Sequence, residues 1–188
     1  QEVMQEENTE IAIEDKTVKM TVAGDVICHN TNFFDAYNPD TDSYDFSYTF
    51  ENIKKYFEDC DIAIGTLETN FAGKSVGYSN YPLFNSPEQL ATDLKELGFD
   101  ILATANNHCL DKGYNGLVNT LNELDKNGIE HMGTYTSEES SKEYLIKDIN
   151  GIKFAFLNYT YGTNGISIPA GREYAVNLID KDKIKTDL

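Results

Sequence analysis

The chain has 188 residues, enough for one domain with a sizeable core, and its 40% hydrophobic and 25% charged content is that of an ordinary globular protein. Its 32 acidic residues against 15 basic ones give a net charge of −17, which excludes nucleic acid as a partner because no basic stripe is available. This charge also repels anionic lipids and polymers unless a metal ion intervenes, although it is largely explained as an aid to solubility.

Residues 1–16 are polar and acidic, and they predict a flexible, stalk-like leader ahead of a single domain, residues 17–188. No apolar run reaches the length of a membrane span, and no signal peptide is present. The cysteines match no disulfide or zinc spacing and are interpreted as small, partly buried apolar residues. They are Cys28, Cys60 and Cys109.

The first half of the domain alternates predicted strands with helices. A strand is expected over residues 17–27, with Val22 among its apolar positions and Gly24-Asp25 near its end. A loop over residues 31–47 and an amphipathic helix over residues 48–58 follow, and then a short apolar strand over residues 61–67 that leads directly into Glu68.

Residues 71–85 contain several Gly and Pro breakers and predict a surface loop, which we interpret as a lid. Ser86 is expected to cap the next helix, which ends at Gly98. The strand that follows, residues 99–105, runs into Asn106, Asn107, His108 and Asp111. A Leu-rich helix ending near residue 128 and a short strand over residues 129–133 complete this half.

The order βαβαβαβ over residues 18–133 predicts parallel strands with right-handed crossovers. Asn150-Gly151 then lies between two apolar strands and strongly indicates a hairpin. One more strand is expected over residues 174–178, and Asp180 should cap a final helix that reaches the end of the chain. These elements predict an α/β layered sandwich that is incomplete at its C-terminal end.

Three predicted strands each end in polar or ionisable side chains, and ligands bind at the carboxyl ends of strands in open α/β sheets. Asp25, Glu68, Asn107 and His108 together would suit Mn, Fe, Zn or Mg, which could activate water and polarise a phosphoryl or carbonyl oxygen. Taken singly, each residue has a structural explanation, such as an Asx-turn for Asp25 or a turn histidine for His108. Taken together, they favour a site by about two to one.

These residues lie in segments that resemble one family. The segments are Gly24-Asp25-Val26, residues 65–69 (Gly-Thr-Leu-Glu-Thr) and residues 105–113 (Ala-Asn-Asn-His-Cys-Leu-Asp-Lys-Gly). They resemble the CapA-type poly-γ-glutamate capsule synthesis proteins, which are similar to the calcineurin-like metallophosphoesterases. The resemblance extends over nearly all of the chain after residue 17, and it implies a layered sandwich of the metallophosphoesterase-like type.

The resemblance also implies roles for individual residues. Asp25, Glu68 and Asn107 would be metal ligands, with Glu68 in the place of the acidic residue that bridges two metals. His108 would act beside the substrate as a general acid or as a hydrogen-bond donor to a phosphate-like oxygen. Asp111 would orient His108.

The later histidine segments of the family are missing, and Thr66 stands where the family usually has Asn. The chain therefore resembles the N-terminal portion of a longer member, and we expect this portion by itself to bind metal weakly or not at all and to be inactive. Such a portion would expose a sheet edge or core surface, which favours dimerisation, through the exposed edge, or aggregation.

Three functions remain open at this stage. The first is a metal-dependent hydrolase of a phosphoester or a γ-glutamyl amide. The second is a non-catalytic surface protein that binds or guides an anionic polymer alongside membrane-bound capsule synthesis proteins. The third is a domain whose polar turns are only structural. The resemblance implies an extracellular location with a membrane anchor.

Overall fold

The computed structural model describes residues 15–188, so most of the predicted leader, residues 1–16, lies outside the described residues. The strands are β1 (Met20–Val26), β2 (Tyr37–Asn38), β3 (Ser43–Tyr44), β4 (Ile62–Leu67), β5 (Ile101–Ala103), β6 (Glu130–Met132), β7 (Leu145–Ile149) and β8 (Ile152–Phe156). The helices are α1 (Asn30–Asp35), α2 (Lys54–Glu58), α3 (Gln89–Leu97), α4 (Gly113–Lys126) and α5 (Lys181–Asp187).

A parallel sheet of four strands, in the order β1-β4-β5-β6, is the centre of the fold. Two antiparallel pairs, β2-β3 and β7-β8, stand apart from it. Helices connect the successive parallel strands, as the sequence predicts for a βαβ arrangement. The α/β layered fold class is therefore confirmed.

The core consists of α3 and α4 packed against the sheet. Leu94, Leu121 and Leu124 are fully buried there, at the helical spacing expected from the sequence. A glycine in β4 makes room for Phe99, which follows α3, because a Cβ atom on Gly65 would lie only 2.6 Å from Cε1 of Phe99. This packing holds the strands against the helices, and with them the residues that follow the strand ends.

The loop predicted over residues 31–47 is wrong in part, because it contains α1 and the small β2-β3 pair. α1 is stabilised by a local reciprocal cap in which the backbone N–H of His29 donates to Oδ1 of Asn32 at 2.9 Å. The amphipathic helix predicted over residues 48–58 is reduced to a 3₁₀ turn, Ser47–Thr49, followed by α2. The preceding Phe46 is held by a tertiary bond, because its N–H donates to the buried Asp93 carboxylate at 2.6 Å.

Two further predictions of local structure are wrong. The Ser86 hydroxyl pairs with the Thr69 hydroxyl at 2.7 Å and does not cap α3, which begins at Gln89. The strand predicted over residues 174–178 is a 3₁₀ turn, Glu173–Ala175, followed by two isolated bridges, one from Val176 to Thr134 and one from Leu178 to Thr160. At Ser86 a tertiary side-chain partner takes the hydroxyl that the local pattern assigned to a helix cap.

The first strand begins later than predicted; β1 is an edge strand among residues 15–188, and its Val22 side chain is exposed. The hairpin is confirmed, with φ values of 53° at Asn150 and 74° at Gly151, as a tight turn between right-twisted strands requires. The cap of the last helix is also confirmed, since the Asp180 carboxylate accepts hydrogen bonds from the N–H groups of Asp182 and Lys183.

Candidate functional site

The candidate site lies where β1, β4 and β5 end on one edge of the sheet. Asp25 is near the end of β1 and pairs in register with Thr66, and the backbone N–H of Glu68 bonds to the carbonyl of Val26 at 3.0 Å. The two carboxylate residues are thereby brought together. Burial of Glu68, and next the nearby Asp25 carboxylate, raise the pKa of Glu68 above its ordinary value.

The turn after β5 is fastened to the end of β4 by two asparagine side chains. Asn106 donates from Nδ2 to the carbonyl of Leu67 at 2.7 Å, and its Oδ1 accepts the backbone N–H of His108 at 2.9 Å. Asn70 donates from Nδ2 to the carbonyl of His108 at 2.9 Å. These bonds satisfy a buried, irregular backbone, so Asn106 and Asn70 hold the position of His108.

His108 and Asp111 form a buried pair at the centre of this turn. Nδ1 of His108 is 2.8 Å from Oδ2 of Asp111, and the same Oδ2 accepts the backbone N–H of Phe84 at 2.7 Å. The side chain of Asp111 has no exposed surface, and burial raises its pKa despite these two hydrogen bonds. On the other side of the ring, Nε2 of His108 is 3.9 Å from Oε1 of Glu68.

Asn107, the third predicted metal ligand, is half-buried beside His108. Within residues 15–188 no hydrogen bond to its side-chain amide is found, so its oxygen remains available to a ligand. The other two histidines make different contacts. The ring of His29 packs on Phe84, with centroids 5.2 Å apart. Nε2 of His131 lies 3.2 Å from Oδ1 of Asp125, away from the strand ends.

The donor set fits a hard or borderline divalent cation in part. Two adjacent carboxylates, whose proximity raises the pKa of Glu68, together with one amide oxygen are the ligands that such an ion binds. In the described part of the chain, however, no group of three or more His, Cys, Asp or Glu residues is arranged to hold a metal. Asp25, Glu68 and Asn107 would therefore supply only some of the ligands of a closed site.

Two cysteines lie close to these elements but do not supply thiolates. Burial raises the pKa of Cys28 to about 11 and that of Cys109 to about 12, so both are protonated near neutral pH. All three cysteines are free thiols, and Cys28 and Cys109 are buried. Cys28 and Cys109 therefore act as small apolar core residues, as the sequence predicted.

Two residues that the sequence did not point to also reach His108. The edge of the Phe84 ring meets the imidazole with centroids 4.8 Å apart, and the amide Nδ2 of Asn164 lies 3.4 Å from Nε2 and 3.5 Å from Nδ1. Phe84 belongs to the predicted lid loop and Asn164 to a loop 56 residues beyond His108. Nothing in local periodicity links either residue to the site, although Asn164-Gly165 does mark a turn.

The described residues thus define an α/β protein with a buried His-Asp pair and a carboxylate pair at the carboxyl edge of a parallel sheet. Comparison with known families gives the narrower class: residues 19–187 match the family model described as bacterial capsule synthesis protein PGA_cap. The chain belongs to this family, and the resemblance noted from the sequence is confirmed.

Individual relatives agree with this assignment. The chain is 26% identical to the PGA biosynthesis protein CapA of Bacillus subtilis, over 74% of this chain and 40% of that protein. It is 24% identical to the capsule biosynthesis protein CapA of Bacillus anthracis, over 78% of this chain and 36% of that protein. An uncharacterized protein of Sinorhizobium fredii, y4sH, is 31% identical over 54% of this chain and 24% of its own length. The chain therefore spans well under half of the relatives it matches.

Proposed function

We propose that this chain carries part of a metal-dependent hydrolase site in a cell-surface protein of poly-γ-glutamate capsule synthesis. The substrate class is a phosphoester or a γ-glutamyl amide, both of which present a polarised oxygen and a leaving group that requires a proton. The observation that carries the proposal is the orientation of His108: Asp111 engages Nδ1, while Nε2 faces Glu68 at the edge of the sheet.

This geometry suits a general acid. When Asp111 accepts a hydrogen bond from Nδ1–H, the imidazole is held in one orientation, and in the imidazolium form the second proton, on Nε2, is the one that can be donated to a substrate oxygen. The ring cannot turn freely, because Phe84 packs against it and Asn70 and Asn106 fix its backbone. A positioned donor of this kind typically contributes about 10²-fold to 10⁴-fold in rate.

Asp25, Glu68 and Asn107 are the residues that would hold a divalent cation, Mn, Fe or Zn. When bound, such an ion supplies a Lewis acid and lowers the pKa of a bound water. Its charge would also offset the repulsion between an anionic polymer and a chain of net charge −17. The carboxylates thus have a role in binding as well as in chemistry.

We propose an extracellular, membrane-anchored location and membrane-bound capsule synthesis proteins as partners. Support comes from the capsule biosynthesis relatives and from the stalk-like composition of residues 1–16. Within residues 15–188, no helix is both long and apolar enough to cross a bilayer.

The test measures bound metal and turnover in the complete natural protein that contains these residues. After loading with Mn or Zn, elemental analysis should find stoichiometric metal in the wild type and a clear loss in Asn107→Ala. The matched control is Asn122→Ala, an exposed asparagine on α4. On a panel of phosphomonoesters, phosphodiesters and γ-glutamyl anilides, His108→Ala should lower kcat at least about 100-fold.

Absence of metal and of turnover in the wild type would reject the hydrolase. If poly-γ-glutamate binding or capsule formation then survived in His108→Ala, the non-catalytic, polymer-guiding function would replace it.

A further inference from the structure

The loop that contains Asn164 is held by hydrogen bonds and core contacts, and it places one exposed amide beside the candidate site. Thr163 and Ile166 close a turn, with the N–H of Ile166 bonded to the carbonyl of Thr163 at 2.9 Å and the Thr163 hydroxyl bonded to the carbonyl of Ile166 at 2.6 Å. Ile166 and Ile168 pack against the main core cluster. Asn164 at the tip is exposed, with a positive φ of 51°. The loop is therefore anchored on both the backbone and the core side.

The amide of Asn164 does not make a normal hydrogen bond to His108. Its Nδ2 is nearly equidistant from the two ring nitrogens, at 3.4 and 3.5 Å, so it is aligned with neither of their in-plane directions. Nδ1 is in any case engaged by Asp111 at 2.8 Å. The amide N–H groups are thus held beside Nε2 and remain available to a ligand that Nε2 also contacts.

We infer that Asn164 is a substrate-binding residue, whose amide donates a hydrogen bond to the same phosphoryl or acyl oxygen group that His108 serves. The inference rests on the proposed function and deepens it, because it adds a neutral donor for the developing negative charge from outside the Asn-Asn-His segment. A preorganised donor of this type is worth about 10²-fold to 10³-fold in kcat when it points at an oxygen that gains charge.

The alternative explanation is that Asn164 is present only because Asn-Gly turns favour a positive φ. The chain offers a matched control, since Asn150-Gly151 is a second Asn-Gly turn with similar angles, 53° and 74° against 51° and 80°. Asn150 lies in the hairpin, and its Nδ2 bonds to the carbonyl of Thr17 at 3.1 Å. Glycine accepts these angles, so Asn→Gly removes the amide at either place without straining the turn.

The experiment compares Asn164→Gly, Asn164→Asp and Asn150→Gly in the complete protein loaded with Mn. Orthophosphate is the binding probe, measured by titration calorimetry, and kcat and KM are measured on the best phosphoester or γ-glutamyl substrate of the wild type. We expect Asn164→Gly to weaken phosphate binding at least tenfold and to lower kcat more than it changes KM. Asn164→Asp should abolish phosphate binding by repulsion, while Asn150→Gly should behave as the wild type with the same metal content.

The outcomes separate this inference from the proposed hydrolase. Phosphate binding that depends on Asn164 in a protein without turnover would support the inference and reject the hydrolase. Turnover and phosphate binding in Asn164→Gly equal to those of Asn150→Gly would overturn the inference and leave the hydrolase standing. Absence of phosphate binding by the wild type would also overturn the inference.

Discussion

Asp111 is the residue on which the geometry of the site depends most directly. One of its carboxylate oxygens, Oδ2, accepts both the Phe84 N–H and the His108 ring, while Oδ1 is buried with no hydrogen-bond partner among residues 15–188. An uncompensated buried oxygen is costly, so we expect Asp111 to lower the stability of the folded chain. Under the proposed function, what is gained for this cost is a fixed orientation of His108.

Asp111→Asn keeps the size of the side chain but removes the charge that orients and polarises His108. We expect kcat to fall by about 10-fold to 100-fold, as is usual when the partner of a functional histidine is lost. The matched control is Asp100→Asn. Asp100 also accepts a backbone N–H, that of Ala63 at 2.9 Å, but it precedes β5 and so lies at the amino ends of the strands, opposite the site. Steady-state kinetics that changed equally in both variants would contradict a specific role for Asp111.

Among the elements, α5 illustrates how a short helix is held by one carboxylate. Asp187 accepts hydrogen bonds from Tyr159 at 2.5 Å, Lys183 at 2.9 Å and Tyr144 at 3.2 Å. Burial alone would raise the pKa of Asp187, but these donors outweigh it and hold the pKa below its ordinary value. Because the folded-state pKa is depressed, the stabilisation is present above the unfolded pKa and is lost as the pH falls through the folded value.

Asp187→Asn should therefore lower Tm near neutral pH, and the difference from the wild type should shrink below about pH 4, where the unfolded chain protonates its aspartates. Asp182→Asn, on the exposed side of the same helix, is the control and should change little. Thermal melts followed by circular dichroism between acidic and neutral pH provide the measurement. A constant difference across that range would show that the charge of Asp187 does not anchor the helix.

The sequence predicted those features that are determined by neighbouring residues in the chain, and it missed those that depend on tertiary packing. Apolar periodicity and strand-end position were enough to place Asp25, Glu68 and His108 on one edge, because parallel strands align their carboxyl ends. The structure joins those three but leaves their roles as predictions. Asn164 could not be found, since its place beside His108 depends on the packing of Ile166 and Ile168 across the fold.

At the scale of the whole molecule, β1 presents an open side. It pairs with β4 on one side and with no other strand of residues 15–188 on the other, and Val22 is 68% exposed. An open, apolar strand edge is a template for pairing with another chain. The dimer expected from the sequence remains a prediction, and this edge is where we expect it to form.

Val22→Lys should shift the isolated chain from dimer towards monomer, because a charged side chain on an edge strand opposes pairing. Ile146→Lys is the control, since Ile146 is similarly exposed, at 56%, but lies on the β7-β8 hairpin. Sedimentation velocity over a range of protein concentrations measures the shift. A wild-type chain that is monomeric throughout, or equal shifts in both variants, would remove β1 as the interface.

The order of the strands in the parallel sheet has a consequence for how the protein is made. β1, β4, β5 and β6 lie side by side in the same order in which they occur along the chain. During synthesis, each new strand can join the free side of the one completed before it, and none has to be inserted between two that are already paired. Asp25, Glu68 and Asn107 would then emerge from the ribosome in sequence and take their places one after another.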